Sequence, residues 1–395
     1  MSAFLTAGIP SESMALYRSI RFKAGDPAAL LELENAPEIS EAVQARAYRA
    51  KRSATRLLIL RDIETARAAE AASVDFVAAV ADFAPNEGLS GDRETATAQS
   101  AAEAFVRYGV KNVVADRSLP LIFAEMLHRR GIETVCDIER GIVERRQKDE
   151  AEIEAIRRSQ HTVEIVMERI CREILSADTG SDGVLLLDGE PLTSERVRAR
   201  IDHALLDFGF VNPMSIVAGK KDGGDCHALG SGPLRTGEPV IVDIFPRSNA
   251  TLYYGDCTRT VIHGEMAPVY RKMFDAVRYA KQAAAETIRA GVTGEAVHRA
   301  TIAALEEHRF GYAKPGSDEA EQFARLTHGT GHGLGLSCHE PPLLDFGGPV
   351  LLEGDVVSIE PGLYDKKLGG VRIEDIVRVT SNGCENLGLL PEEFV

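Results

Sequence analysis

Four carboxylates fall inside the most apolar, strand-like stretches of the chain: Asp243 in PVIVDIFP, Asp256 in YYGDCTRT, Glu360 in VVSIEPGLY and Glu374 in GGVRIEDIVRV. Three of the ten histidines, His328, His332 and His339, lie within twelve residues in THGTGHGLGLSCHEPP. A fold that buries these segments must also neutralise their acids, because an unpaired ionised carboxylate is costly away from water. The spacing suggests how the acids meet. Asp256 follows Asp243 by thirteen positions and Glu374 follows Glu360 by fourteen, each pair separated by turn-forming residues. Two hairpins would then each present two acids. Like charges held that close need cations or raised pKa values. With His332 added, the donor set is mainly oxygen, of the kind that takes pairs of manganese, cobalt, iron or zinc ions.

Such a pair of divalent ions suits hydrolysis, because it lowers the pKa of a water, polarises a carbonyl and stabilises an oxyanion. Gly329, Gly331, Gly333 and Gly335 are expected to leave room for a ligand against the backbone, and no HExxH occurs. Taken singly, each residue also has a plainer reading. Asp243 could be a paired acid, Asp256 with Thr258 and Arg259 a structural network, His328 a packing residue, and Glu374 an ion-pair partner near Arg372. The ordered set points to metal.

At 395 residues the chain is long enough for two domains. The formal net charge of -15 comes with scattered lysines and arginines, which argues against a nucleic-acid partner. Six widely spaced cysteines with no CxxC are expected to be free thiols, not a disulfide framework or a zinc-thiolate site. The opening MSAFLTAGIPSESMALYRSIRF does not read as a signal peptide, and no run reaches the roughly eighteen apolar residues a membrane helix needs. A cytoplasmic protein without membrane attachment is expected.

Residues 1–150 read as an α/β unit. TRLLILRD, KNVVAD and IETVCD are strand candidates; EAASVDFVAAVADF, TATAQSAAEAFVRYG and SLPLIFAEMLHRRG are helix candidates, with Gly131 at a plausible stop. The charged stretch that follows marks a boundary and opens a long amphipathic helix. Ile153, Ile156, His161, Ile165, Val166, Ile170 and Ile174 roughly follow its period. Residues 151–395 read as helices packed on a largely antiparallel sheet, with strands SIVAG, PVIVDIFP, TLYYGDCTRTVI, DVVSIEPGLY and VRIEDIVRV. His161, His298 and His308 sit on helices and are read as ordinary packing or surface residues.

HGTGHGLGLSCHEPP, SIEPGLY and GGVRIEDIVRVT together resemble the pita-bread-fold metallopeptidases. That family contains Xaa-Pro aminopeptidases, prolidases and methionine aminopeptidases, with creatinase as a metal-independent relative. The resemblance covers residues 150–395 at motif level, and residues 1–150 resemble the creatinase-type amino-terminal domain in length and character. It implies an α+β fold, a pita-bread catalytic domain over 151–395 with helices on a curved, largely antiparallel sheet, preceded by the smaller α/β domain over 1–150. It implies two divalent metal ions, manganese first with cobalt, zinc or iron as alternatives, held by Asp243, Asp256, His332, Glu360 and Glu374, with Asp256 and Glu374 bridging. Glu360 matches the proton shuttle, and His339 the histidine that contacts the substrate carbonyl or tetrahedral intermediate. His227 matches a histidine lining the substrate side, and Arg372 an arginine near the second glutamate; His328 is placed behind the ligands, holding the loop. The resemblance further implies short peptides as substrates, with proline at the second position as one option, and a homodimer or higher homo-oligomer. One departure stands out. The family often has glycine two positions after the first aspartate, where this chain has Phe245. The expected activity is that of an Xaa-Pro aminopeptidase. The rivals are an Xaa-Pro dipeptidase, more remotely a methionine aminopeptidase, and a non-catalytic peptide- or protein-binding module.

Overall fold

A computed structural model describes residues 3–34, 54–314, 317 and 324–394. The chain divides into two compact units, Met1–Arg145 and Arg146–Val395.

The amino-terminal unit is built on a sheet of six strands among the described residues: β1 (Ala3–Gly8), β2 (Ala28–Glu34), β3 (Ala54–Leu60), β4 (Phe76–Ala79), β5 (Asn112–Asp116) and β6 (Glu133–Asp137), in the order β4-β3-β2-β1-β5-β6. β1, β2 and β3 pair antiparallel, and β4, β5 and β6 join them in parallel. Leu31, Leu33, Leu57 and Ile59 face one core and Leu30, Leu58 and Leu60 the other, so both faces of the sheet are buried by simple alternation. Helices α1 (Met14–Ile20) and α2 (Asp62–Ala71) close the second face through Leu16, Ile20 and Ala68. Helices α3 (Arg93–Arg107) and α4 (Leu121–Arg129) close the first through Ala98, Ala102, Phe105, Phe123 and Leu127. α4 ends at Gly131, whose φ of +71° is the left-handed conformation glycine favours.

One assignment from sequence fails here. EAASVDFVAAVADF is not a helix: only its first two residues finish α2, the next four form a bend, and the rest is β4 and a 3₁₀ turn over Val80–Phe83. The apolar spacing fits both periods over so short a run. Pairing decides, because Phe76 to Ala79 dock in register against Leu57 to Leu60.

The second unit begins with α5 (Glu150–Leu175), started by a capping box in which Asp149 accepts from Glu152 N–H and Glu152 accepts from Asp149 N–H. Its buried stripe is Val163, Val166, Met167, Ile170 and Ile174, each contributing about 2 kcal/mol of apolar transfer. His161 and Ile165, which fit the period from sequence, point outward instead. Next come α6 (Ser194–Asp207), capped by Thr193, and the antiparallel strands β7 (Ser215–Gly219), β8 (Pro239–Ile244) and β9 (Cys257–Ile262), ordered β7-β8-β9. After α7 (Pro268–Thr287) and α8 (Gly294–Glu307), a second antiparallel sheet forms from β10 (Gly331–Gly333), β11 (Glu340–Leu344), β12 (Val356–Ile359), β15 (Asp375–Val379) and β16 (Cys384–Asn386). β13 (Gly362–Asp365) and β14 (Gly369–Arg372) form a separate antiparallel pair between β12 and β15 in the chain.

Alternation along β8 positions the site. Val240, Val242 and Ile244 pack toward α5, so Ile241 and Asp243 point to the opposite face, where Ile241 meets Ile216 and Tyr364. Among the described residues no helix is long and apolar enough to cross a membrane.

Candidate metal centre

Asp243 lies near the end of β8, and the other three acids sit just outside a strand or at a break between two. Asp243 is paired with Thr258 across β8 and β9, so Asp256, two residues before Thr258 and just outside β9, projects to the same face. Glu360 occupies the short break between β12 and β13, and Glu374 the break between β14 and β15. The strands change partner there: β12 pairs with β15, and β13 with β14. At each break the main chain is tied to another ligand-bearing segment. Glu360 N–H donates to Thr330 O at 2.8 Å, and Glu374 N–H donates to Thr258 O at 3.0 Å.

Asp256, His332 and Glu374 form one compact, buried group whose possible ligand atoms all lie within 4.8 Å of one another. His332 Nε2 is 3.3 Å from Glu360 Oε1 and 3.8 Å from Asp256 Oδ2. Burial lowers the His332 pKa, which keeps the imidazole neutral. Its Nδ1 lies 3.1 Å from Gly333 O, so the ring proton belongs there and the Nε2 lone pair faces the carboxylates. Asp243 joins through Arg372, whose Nη2 donates to Asp243 Oδ2 at 2.7 Å. The buried Oδ1 atoms of Asp243 and Asp256 have no hydrogen-bond partner among the described residues.

The electrostatics are those of a site short of positive charge. Burial raises the pKa of Asp256, and the neighbouring Asp243 and Glu360 raise it further. Burial and then Asp256 do the same to Glu374. Glu360 is pushed up to about 7, first by burial and then, against the pull of Arg372, by Asp243. Five acids, these four and Asp345, line a cavity of about 570 Å³ with one guanidinium, Arg372, among the described residues. A divalent cation would complete the two orphaned aspartate oxygens and cancel the repulsion, so the donor set fits a metal.

The same cavity is lined by His227, His339, His328 and Arg372. His339 is exposed on the wall, its ring edge-on to His332 with centroids 4.2 Å apart, and His227 is likewise exposed. His328 turns away from the acids: Nε2 pairs with Tyr364 Oη at 2.7 Å and Nδ1 with Gly329 O at 2.7 Å. Tyr364 Oη also accepts from Arg372 Nη1 at 2.9 Å. Thr258 Oγ1 donates to Glu374 Oε2 at 2.7 Å, Ser358 Oγ to Glu360 Oε1 at 3.2 Å, and Asp256 N–H to Gln160 Oε1 at 3.0 Å. Tyr364, Ser358 and Gln160 were not singled out from sequence. A usable signal existed for Ser358, two residues before Glu360 on the same face of a strand. Cys338, beside His339, donates its thiol to Asp256 Oδ2 at 3.4 Å.

The glycines of HGTGHGLG make room for protein, not for a ligand as the sequence suggested. A Cβ on Gly331 would lie 2.1 Å from Ser358 O, and on Gly333 2.4 Å from Pro341 O. They let β10 press against its neighbours and carry His332 among the acids.

A carboxylate and imidazole cluster carried on antiparallel strands, with helices behind it and an α/β unit ahead of it in the chain, is the architecture of the pita-bread-fold metallopeptidases. The chain belongs to metallopeptidase family M24, whose model matches residues 154–381. It is 32% identical over 251 residues to "Probable dipeptidase PepE" of Mycobacterium tuberculosis, a match covering 63% of this chain and 60% of that protein. The chain thus spans well under two thirds of the PepE length. It is 27% identical over 295 residues to "Xaa-Pro dipeptidase" of Pyrococcus horikoshii, covering 73% of this chain and 76% of the relative. Among solved structures, the X-Pro aminopeptidase of Thermotoga maritima superposes with a TM-score of 0.77 at 22% identity, over 100% of this chain and 97% of that one. The prolidase of Pyrococcus horikoshii gives a TM-score of 0.74 at 22% identity, over 100% and 96%. At that identity the two structures speak to the fold alone.

Proposed function

We propose that this chain is a metal-dependent dipeptidase that cleaves short peptides with a free amino terminus, with Xaa-Pro dipeptides as the first class to test. The observation that carries the reading is the buried group of Asp256, His332 and Glu374 beside two orphaned aspartate oxygens. The choice of dipeptidase over the aminopeptidase expected from sequence rests on the names of the relatives, PepE and the Pyrococcus Xaa-Pro dipeptidase.

Asp243, Asp256, His332, Glu360 and Glu374 would hold two divalent ions, manganese first. When bound, such ions supply Lewis acidity and a water of lowered pKa. The chain's own groups do the rest. Arg372 occupies Asp243 Oδ2, while the buried Oδ1 has no hydrogen-bond partner among the described residues. Ser358 fixes Glu360 Oε1, and the Glu360 carboxylate takes a proton from the attacking water and returns it to the leaving nitrogen. His339 and His227, exposed on the cavity wall, hydrogen-bond the substrate carbonyl and the tetrahedral intermediate. Phe245 lines the same cavity and narrows the substrate side.

The test is reconstitution with manganese, cobalt or zinc, followed by assay on Xaa-Pro dipeptides, longer Xaa-Pro peptides and peptides with amino-terminal methionine. Turnover confined to dipeptides is the expected result. Cleavage of longer chains would restore the aminopeptidase reading, and a folded protein that neither binds metal nor turns over any peptide would leave only a binding module.

A further inference from the structure

Arg259 is wholly buried on β9, yet it does not line the metal cavity. Strand alternation turns Thr258 toward the acids and Arg259 to the opposite face, with its register partner Val242. A guanidinium carries five N–H donors, and all five of Arg259 are used. Nη1 donates to Thr258 O at 2.9 Å and to Glu374 O at 2.6 Å. Nη2 donates to Asp375 Oδ1 at 2.8 Å and to Leu390 O at 2.9 Å, and Nε donates to Pro391 O at 2.7 Å. One acid answers the charge, and four main-chain carbonyls take the other donors. Two of those carbonyls belong to the Glu374 break and its neighbour Thr258, and two to the segment after β16. Because Glu374 N–H also donates to Thr258 O at 3.0 Å, the Glu374 main chain is held at both its N–H and its C=O.

The segment after β16 is itself fastened at points outside the cavity. Glu164 on α5 accepts from Leu389 N–H at 2.9 Å and from Leu390 N–H at 3.2 Å. On α7, Arg278 and Lys281 pair with Glu392 at 2.9 and 2.7 Å, and Arg271 pairs with Glu393 at 2.6 Å. Leu390 and Phe394 pack on the core that holds the buried stripe of α5. If this segment lifts, Arg259 loses two carbonyls at once, and a buried guanidinium with unmet donors is costly. The guanidinium then turns toward the opening and releases Glu374 O.

We infer that Arg259 is a positioning residue for Glu374, and that the segment 389–394 sets metal affinity from outside the cavity by keeping Arg259 in place. The inference rests on the reading of Glu374 as a metal ligand. It couples two places that share no ligand atom: docking of the segment favours metal, and metal favours docking.

Manganese is titrated calorimetrically into the full-length wild type, R259K, E392K/E393K and L205A, with amide exchange followed by mass spectrometry with and without the metal. R259K keeps the charge but has three donors in place of five. E392K/E393K sets lysines against Arg271, Arg278 and Lys281 and drives the segment off. Each should lose about tenfold in manganese affinity and, metal-free, exchange faster at Glu374. L205A truncates the core on α6, so its Tm should fall while its manganese affinity stays that of the wild type, which separates positioning from stability at large. In the wild type, manganese should slow exchange at Leu389 and Leu390 by about the same factor, because the coupling is reciprocal. Wild-type affinity in a folded R259K or E392K/E393K, an equal loss in L205A, or exchange at Leu389 and Leu390 indifferent to manganese would each overturn the inference. If neither variant folds, that last measurement decides alone. A wild type that takes up no manganese would overturn the metal reading together with this one, whereas equal affinities in folded proteins would overturn this one only.

Discussion

The Thr258 hydroxyl donates to Glu374 Oε2 at 2.7 Å, from the edge strand β9 to the break between β14 and β15. One oxygen of the glutamate is thereby fixed within the compact group it forms with Asp256 and His332. Thr258→Val keeps the shape and removes the donor. Metal affinity should fall about tenfold or more, the usual cost of losing a partner behind a ligand. Metal titration followed by calorimetry reads it directly.

Asp256→Asn and Glu374→Gln remove charge from the compact group itself and should abolish both metal retention and turnover. His339→Ala should behave differently. It leaves the ligand set intact, so metal content after dialysis should match wild type while kcat falls about a hundredfold. Unchanged turnover in His339→Ala would remove that residue from the mechanism.

In the metal-free protein Asp256 and Glu374 titrate well above the usual carboxylate range, and Glu360 near 7. The folded state therefore holds more protons than the unfolded chain, and these groups' contribution to stability falls as pH rises from the ordinary carboxylate range through about 7. Metal binding should expel those protons. The expected result is proton release on adding manganese below pH 7, and a gap in Tm between loaded and metal-free protein that widens as pH is raised. A gap independent of pH would contradict the assigned shifts.

Gly331→Ala would place a methyl 2.1 Å from Ser358 O, a backbone atom that cannot step aside. The variant should lose about 3 kcal/mol or more of stability, or fail to fold. Chemical denaturation against wild type measures it.

The acids were legible because strand alternation makes a charge among valines and isoleucines conspicuous, as at Asp243 between Val242 and Ile244. The long helix was legible from its period, although His161 and Ile165 turned out to lie beyond the edge of the buried stripe. Pairing was not legible. β1 and β2 went unassigned, and Phe76 to Ala79 became a strand because β3 offered an open edge, which local spacing does not report. Tyr364 was hidden for a related reason: its partners His328 and Arg372 are distant in sequence and meet it only across folded strands. The glycines misled because a close approach looks the same in sequence whether the visitor is a ligand or a neighbouring main chain.

The main-chain bonds from Glu360 to Thr330 and from Glu374 to Thr258 tie each break to a segment that carries another prospective ligand, His332 in the one case and Asp256 in the other. The spacing within each pair is thus fixed by backbone as well as by side-chain rotamers, and a substitution that shifts either segment displaces two donors at once.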